Sequence, residues 1–299
     1  EIIKPGMTLK DTAILIENKI KDYTNIDPEN PLEKGIAFPV GLGLNNTVAH
    51  YTPNYNEKDI IITENDILKI DYGVHFNGVI IDSAFTISFN EKYDDFINIS
   101  RNLTNYAVSL CGPDAILGEI GRDIEEYLAS KEFEMDGYLY PLNIMRDLSG
   151  HSISPYIIHS GKAVPNISIF YPMRMQEGEY FAIEPFITTG NSQSIHKNPN
   201  SHYMLNRNHE KVPLGNADER DFYDIIKRNY STLPFCQRWL YELYPSLNHD
   251  DLLDKMSRKK VLNEYPPIYD IEKSIVSQFE HTIYVKSNGI VNLTKNEYY

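Results

Sequence analysis

Two strand-like runs in this chain each carry an acid where an acid is costly. Ile67-Leu68-Lys69-Ile70-Asp71-Tyr72-Gly73 and Gly78-Val79-Ile80-Ile81-Asp82-Ser83-Ala84-Phe85-Thr86-Ile87 meet at the pair Asn77-Gly78. That pair is a strong signal for a two-residue hairpin turn. With such a turn Asp82 stands opposite Gly73, and Asp71 lies diagonal to it on the same face. Aspartate is depleted in strands, and a charge on a buried face is tolerated only when paired or bound to a cation. The fold must therefore solvate this face or supply positive charge to it.

Further acids sit in the same context. Glu184 closes the run Tyr180-Phe181-Ala182-Ile183-Glu184, and Glu280 lies inside Val276-Ser277-Gln278-Phe279-Glu280-His281-Thr282-Ile283-Tyr284-Val285, read as one strand. Two divalent cations would balance four carboxylates, and one neutral imidazole could complete their shell. His151 and His159 are candidates, because their even spacing puts them on one face of an extended segment. Each residue alone has a plainer reading. A strand aspartate is commonly an edge charge or turn partner, a lone histidine a satisfied core or loop residue, and a lone glutamate half of an ion pair. The residue pattern leaves both readings open.

Amphipathic helices surround these strands. Residues 8–25 form one, with Thr8 and Asp11 as a capping pair and Leu9, Ala13, Ile16 and Ile20 inward. Residues 93–110, stopped by Gly112-Pro113, and 117–132 form two more. Helices and strands alternate in blocks, which points to an α+β fold. From about 201 to 264 the character changes to helical patches, Asp221–Asn229 and Leu252–Lys260, and strand signal returns only after Pro266-Pro267. This stretch is read as a helical insertion within one domain spanning 1–299. The net charge of −14 argues against non-specific nucleic-acid binding. No run of about 18 apolar residues suggests a membrane span. No charged-then-apolar leader is seen, and Cys111 and Cys236 read as free thiols in a reducing compartment, so a cytoplasmic location is expected.

Six words share one order and spacing with a known family. They are Ala49-His50-Tyr51-Thr52-Pro53-Asn54, Lys69-Ile70-Asp71-Tyr72-Gly73, Ile81-Asp82-Ser83-Ala84-Phe85-Thr86, Gly150-His151-Ser152-Ile153, Tyr180-Phe181-Ala182-Ile183-Glu184 and Gln278-Phe279-Glu280-His281-Thr282. With Ser201-His202-Tyr203-Met204, Thr232-Leu233-Pro234-Phe235-Cys236 and Tyr265-Pro266-Pro267, the chain resembles methionine aminopeptidases of type 2 over nearly its whole length. The resemblance implies a pita-bread fold, with a curved antiparallel sheet, outer helices and a helical insertion. It implies a dinuclear site for Mn, Co, Fe or Zn, in which Asp71 chelates one metal, Asp82 and Glu280 bridge, and His151 and Glu184 hold the other.

The resemblance also implies roles in removing an initiator methionine that precedes a small residue. Glu184 accepts a proton from water, His50 acts near the scissile nitrogen, and His159 stabilises the tetrahedral oxygen. His50 is the ring most exposed to epoxides of the fumagillin type. Phe38, Ile158, His202, Pro234 and Tyr265 match positions around the methionine side chain. Nascent polypeptide N-termini would be the partners, with ribosome association and a monomeric state expected. Pro185 departs from the pattern, where the family has threonine, and so does the ending Asn296-Glu297-Tyr298-Tyr299. Two rival readings remain. A prolidase or aminopeptidase P would share the fold and ligand types, and a non-catalytic relative would bind ribosomes or RNA.

Overall fold

The computed structural model describes residues 2–197 and 199–296. The last three residues of the chain ending noted above, Glu297, Tyr298 and Tyr299, lie outside them. An eight-stranded sheet organises the molecule. Its strands are β1 (Lys34–Leu44), β2 (Ile67–Phe76), β3 (Val79–Ser88), β4 (Ser149–Ile153), β5 (Ala163–Pro165), β6 (Tyr180–Ile183), β7 (Glu280–Lys286) and β8 (Gly289–Asn292). They run in the spatial order β1-β2-β3-β7-β6-β4-β5, with β8 on β7, and every pairing is antiparallel. Asn77 and Gly78 both take positive φ, 47° and 79°, as a type I′ turn requires. Phe76 then pairs with Val79 and Gly73 with Asp82, the register that the turn predicts.

Alternation along the strands assigns the two faces. Phe181, Ile183, Ile283 and Val285 point to the outer face, into a core with Phe96 and Leu103 of α2 (Asp94–Ser109) and Leu117, Ile120 and Ile124 of α3 (Leu117–Ala129). Each such side chain contributes about 1.5–3 kcal/mol by leaving water. Leu68 and Ile70 meet Leu9, Ala13 and Ile20 in the same way. Those three lie on α1 (Leu9–Thr24), whose first turn is capped by Asp11 N–H donating to Thr8 Oγ1 at 3.0 Å. With helices on the outside, the intervening residues Asp71, Asp82, Ala182 and Thr282 share the inner face.

Three sequence expectations need correction. The run Val276–Val285 is not one strand: Val276–Gln278 and β7 belong to different sheets, divided at Phe279. The partner run breaks at the same level, between β6 and Phe186–Thr188. The register nevertheless carries through, Ile183 pairing with His281 and Phe186 with Gln278. That places Pro185 opposite Phe279, and a prolyl nitrogen has no N–H to give the ladder. Second, β1 escaped the pattern, because Pro39 and Gly35, Gly41 and Gly43 suppress any strand signal.

Third, residues 201–264 are not helical throughout. They hold α4 (Ala217–Asn229), α5 (Gln237–Leu243) and α6 (His249–Arg258), and also a three-stranded sheet of His202–Leu205, Phe235–Cys236 and Leu262–Tyr265. The last of these strands precedes Pro266-Pro267. Strands of two to four residues are too short to show a period of two. Phe222, Ile226, Phe235, Trp239, Leu240 and Met256 form a core of their own there. Among the described residues no helix is long and apolar enough to cross a membrane.

Candidate metal centre

Five neighbouring strands each bring one candidate ligand to the inner face, and two adjacent rows across the sheet hold them. The first row runs Gly73, Asp82, Thr282, Ala182, His151. Gly73 pairs with Asp82, Thr282 with Ala182 and Ala182 with His151. Thr282 Oγ1 ties Asp82 into the row by accepting from its N–H at 2.8 Å and donating to its carbonyl at 2.7 Å. The second row runs Asp71, Ala84, Glu280, with Glu184 following at the end of β6. The other members of the rows, Gly73, Thr282, Ala182 and Ala84, are small and leave room between the polar side chains. At Gly73 a Cβ would come within 2.2 Å of the Phe38 ring, so any larger residue there would displace that ring from the cavity wall.

The polar side chains converge. Asp82, His151 and Glu280 each offer a ligand atom, all within 4.8 Å of one another. His151 Nε2 lies 3.2 Å from Glu184 Oε1 and 3.8 Å from Asp82 Oδ2. Gln278 donates from its amide to Glu184 Oε2 and Glu280 Oε2, both at 3.3 Å. Asp71 Oδ1, Asp82 Oδ1 and Glu280 Oε1 are buried without a hydrogen-bond partner among the described residues. Burial pushes all four carboxyls up from their ordinary range. The Glu184 charge adds to this at Asp71; at Asp82 the charges of Asp71 and Glu184 add to it, and at Glu280 those of Asp82, Glu184 and Asp71. Burial pushes His151 down to about 4, so its imidazole is neutral and able to ligate. Four buried acids with orphaned oxygens beside one neutral imidazole fit divalent cations, and the mixed oxygen and nitrogen donors suit first-row metals.

These residues form the floor of a cavity of about 440 Å³. His50, His159, Phe38, Ile158, His202, Pro234 and Tyr265 all line it as well. The His151 and His159 rings meet edge to face with centroids 4.4 Å apart, but not through a shared extended segment. β4 ends at Ile153, and a turn closed by the Ser154–Ile157 bridge, with Tyr156 at φ 60°, brings His159 back. Tyr265 lies edge-on to His50 at 5.6 Å and 6.4 Å from His159. Burial lowers His50 and His159 to about 3 and His202 to about 4, so all three rings are neutral. Sequence reasoning missed Gln278 as a partner of the acids and the rim residues Asp147, Ser149 and Lys162. Gln278 was legible only as a polar residue two places before Glu280, and the rim residues gave no signal.

Residues 1–208 match metallopeptidase family M24. The chain belongs to that family. Its M24 relatives include methionine aminopeptidase 2 of Clavispora lusitaniae, 43% identical over 94% of this chain and 64% of that protein. Methionine aminopeptidase 2 of Encephalitozoon hellem is 40% identical over 100% of this chain and 82% of that protein. The chain spans 64–66% of the length of three relatives from Clavispora lusitaniae, Debaryomyces hansenii and Candida dubliniensis. Among solved structures, a thermophilic Arx1 superposes with a TM-score of 0.79 at 15% identity, covering 99% of this chain and 85% of that one. A Thermotoga maritima methionine aminopeptidase gives 0.62 at 19%, covering 98% and 87%. At such identities these likenesses concern the fold, which is the curled antiparallel sheet with outer helices of M24 pita-bread proteins.

Proposed function

We propose that this chain is a metal-dependent aminopeptidase that removes the initiator methionine from proteins whose second residue is small. The observation that carries this reading is the meeting of Asp71, Asp82, His151, Glu184 and Glu280 at the floor of a cavity whose wall includes Phe38, Ile158, Pro234 and Tyr265. Two divalent cations held by those five residues would polarise the scissile carbonyl and make water nucleophilic near neutral pH. Manganese, cobalt, iron and zinc all suit the donor set.

The remaining work falls to the chain's own groups. Glu184, with Oε2 held by Gln278, takes the proton from the attacking water. A neutral His159 donates to the oxygen that becomes negative in the tetrahedral state. Neutral His50 donates a hydrogen bond at the departing nitrogen, and the proton that Glu184 takes from water passes on to that nitrogen. The apolar wall receives the unbranched methionine side chain, and the histidines on it stay neutral because burial disfavours their charge. Nascent-chain N-termini in the cytoplasm, ribosome association and a monomeric state complete the proposal. Retention of all five ligand types speaks against a non-catalytic relative.

The test compares Met-Ala-Ser with Xaa-Pro peptides on chelated protein given Mn²⁺ or Co²⁺. Cleavage of Met-Ala-Ser is expected. Preference for the proline substrate would move the assignment to a prolidase, and no cleavage of either peptide would favour the scaffold reading.

A further inference from the structure

His50 stands in a conformation that a residue with a side chain rarely adopts, at φ 58°. Such a backbone persists only where its surroundings hold it. Leu42 N–H donates to the Tyr51 carbonyl at 2.7 Å, and a buried hydroxyl holds the residues on either side. Ser201, with no exposed surface, donates from Oγ to the His50 carbonyl at 2.8 Å and accepts the Thr52 N–H at 3.3 Å. The same oxygen lies 3.0 Å from His202 Nδ1. One serine thus grips the backbone on both sides of Tyr51, which only a group that both donates and accepts can do. Neighbours of Ser201 continue the grip. Asn54 donates to the Asn200 carbonyl at 3.0 Å, and the buried Arg238 reaches the Pro53 carbonyl and Thr52 Oγ1, both at 3.4 Å.

Resting on the reading that His50 acts on the substrate, we infer that Ser201 is a positioning residue that holds the His50 loop in its left-handed conformation. Through it, the segment that carries His202 and Arg238 sets the angle of the His50 ring, besides lining the cavity. Without the hydroxyl, the His50 carbonyl and the Thr52 N–H both lose their partner, and the backbone relaxes toward negative φ. That carries the ring away from the floor acids while leaving those acids in place.

The test compares the metal-loaded wild-type chain with Ser201→Ala. Hydrolysis of Met-Ala-Ser, the rate of His50 alkylation by an apolar epoxide (read by mass spectrometry) and Mn²⁺ affinity by calorimetry are measured. Displacing a reacting group by about 1 Å costs up to roughly a hundredfold. The expected result is therefore a tenfold to hundredfold fall in kcat with KM changed less than about twofold. Alkylation slows in parallel, and Mn²⁺ affinity is unchanged. Wild-type kcat and alkylation rate in Ser201→Ala overturn the inference, and so does a parallel loss of Mn²⁺ affinity, which marks general loosening. If Ser201→Ala does not fold, Ser201→Cys keeps the bulk but offers only a weak donor and acceptor to the same two backbone groups. A fall in kcat and labelling rate then supports the inference, and wild-type values in both reject it. Labelling needs no peptide turnover. A wild-type protein that alkylates at His50 yet leaves Met-Ala-Ser intact defeats the peptidase reading, while the labelling rates still decide the role of Ser201.

Discussion

At the scale of single residues, the centre depends on groups that would be errors anywhere else in the sheet. Asp82 touches the site from a strand whose other face carries Val79, Ile81, Phe85 and Ile87, and one of its oxygens has no partner among the described residues. Asp82→Ala is expected to abolish peptidase activity and to lower the metal content measured by inductively coupled plasma spectrometry. Near-normal turnover in that variant would remove Asp82 from the machinery. Gln278 fixes one oxygen of Glu184 and one of Glu280. Gln278→Met keeps the bulk but loses the donor, and should weaken Mn²⁺ binding about 10–100-fold; an unchanged calorimetric isotherm would contradict this. The acids were legible in the sequence because a charge inside an apolar strand is costly and therefore conspicuous. Gln278 and Ser201 were not, because neutral polar residues break no pattern until their partners are known.

At the scale of elements, the hairpin at Asn77-Gly78 and the first three helices followed from turn chemistry and period. β1 was hidden by its own glycines and proline, whose presence makes sense only beside the ladder it joins. There Gly41 pairs with Asp71 across two register shifts. Contacts between distant elements were equally silent. Glu17 of α1 is buried, receives two 2.8 Å bonds from Arg238 and a third at 3.0 Å from the Trp239 indole, and so locks α1 to α5 behind the His50 loop. On the sequence Glu17 is only one more charged residue in a helix. Glu17→Ala leaves the buried Arg238 with only the half-exposed Glu242 carboxylate, 3.7 Å away, and should cost about 3 kcal/mol in denaturant titration. A loss below about 1 kcal/mol would place the pair with ordinary surface bridges.

At the scale of the whole molecule, the floor acids make stability depend on both pH and metal. Asp71 and Glu184 are pushed up to about 8, so between their ordinary range and pH 8 the folded metal-free chain binds more protons than the unfolded one. Stability from these acids therefore falls as pH rises. The lowered histidines, among them His75, His209, His249 and His281 besides those of the cavity, work in the opposite sense until the unfolded imidazoles lose their protons above about pH 7. Lys69, pushed down to about 7 by burial, opposes the acids above that point. That leaves a window between about pH 7 and 8, where the unfolded imidazoles are largely neutral and the four raised acids outweigh Lys69. Across it the Tm of chelated protein should fall, and added Mn²⁺ should raise Tm more at the upper end; a Tm rising with pH in chelated protein would refute the sign. The order of the donors along the chain has a further consequence. They enter at residues 71, 82, 151, 184 and 280, yet in the sheet the last stands between the second and the fourth. A nascent fragment that stops short of residue 280 has a gap in the middle of its ion cradle. Loading with metal must then wait for the closing strand, so the ion cradle is finished only once residue 280 has joined the sheet.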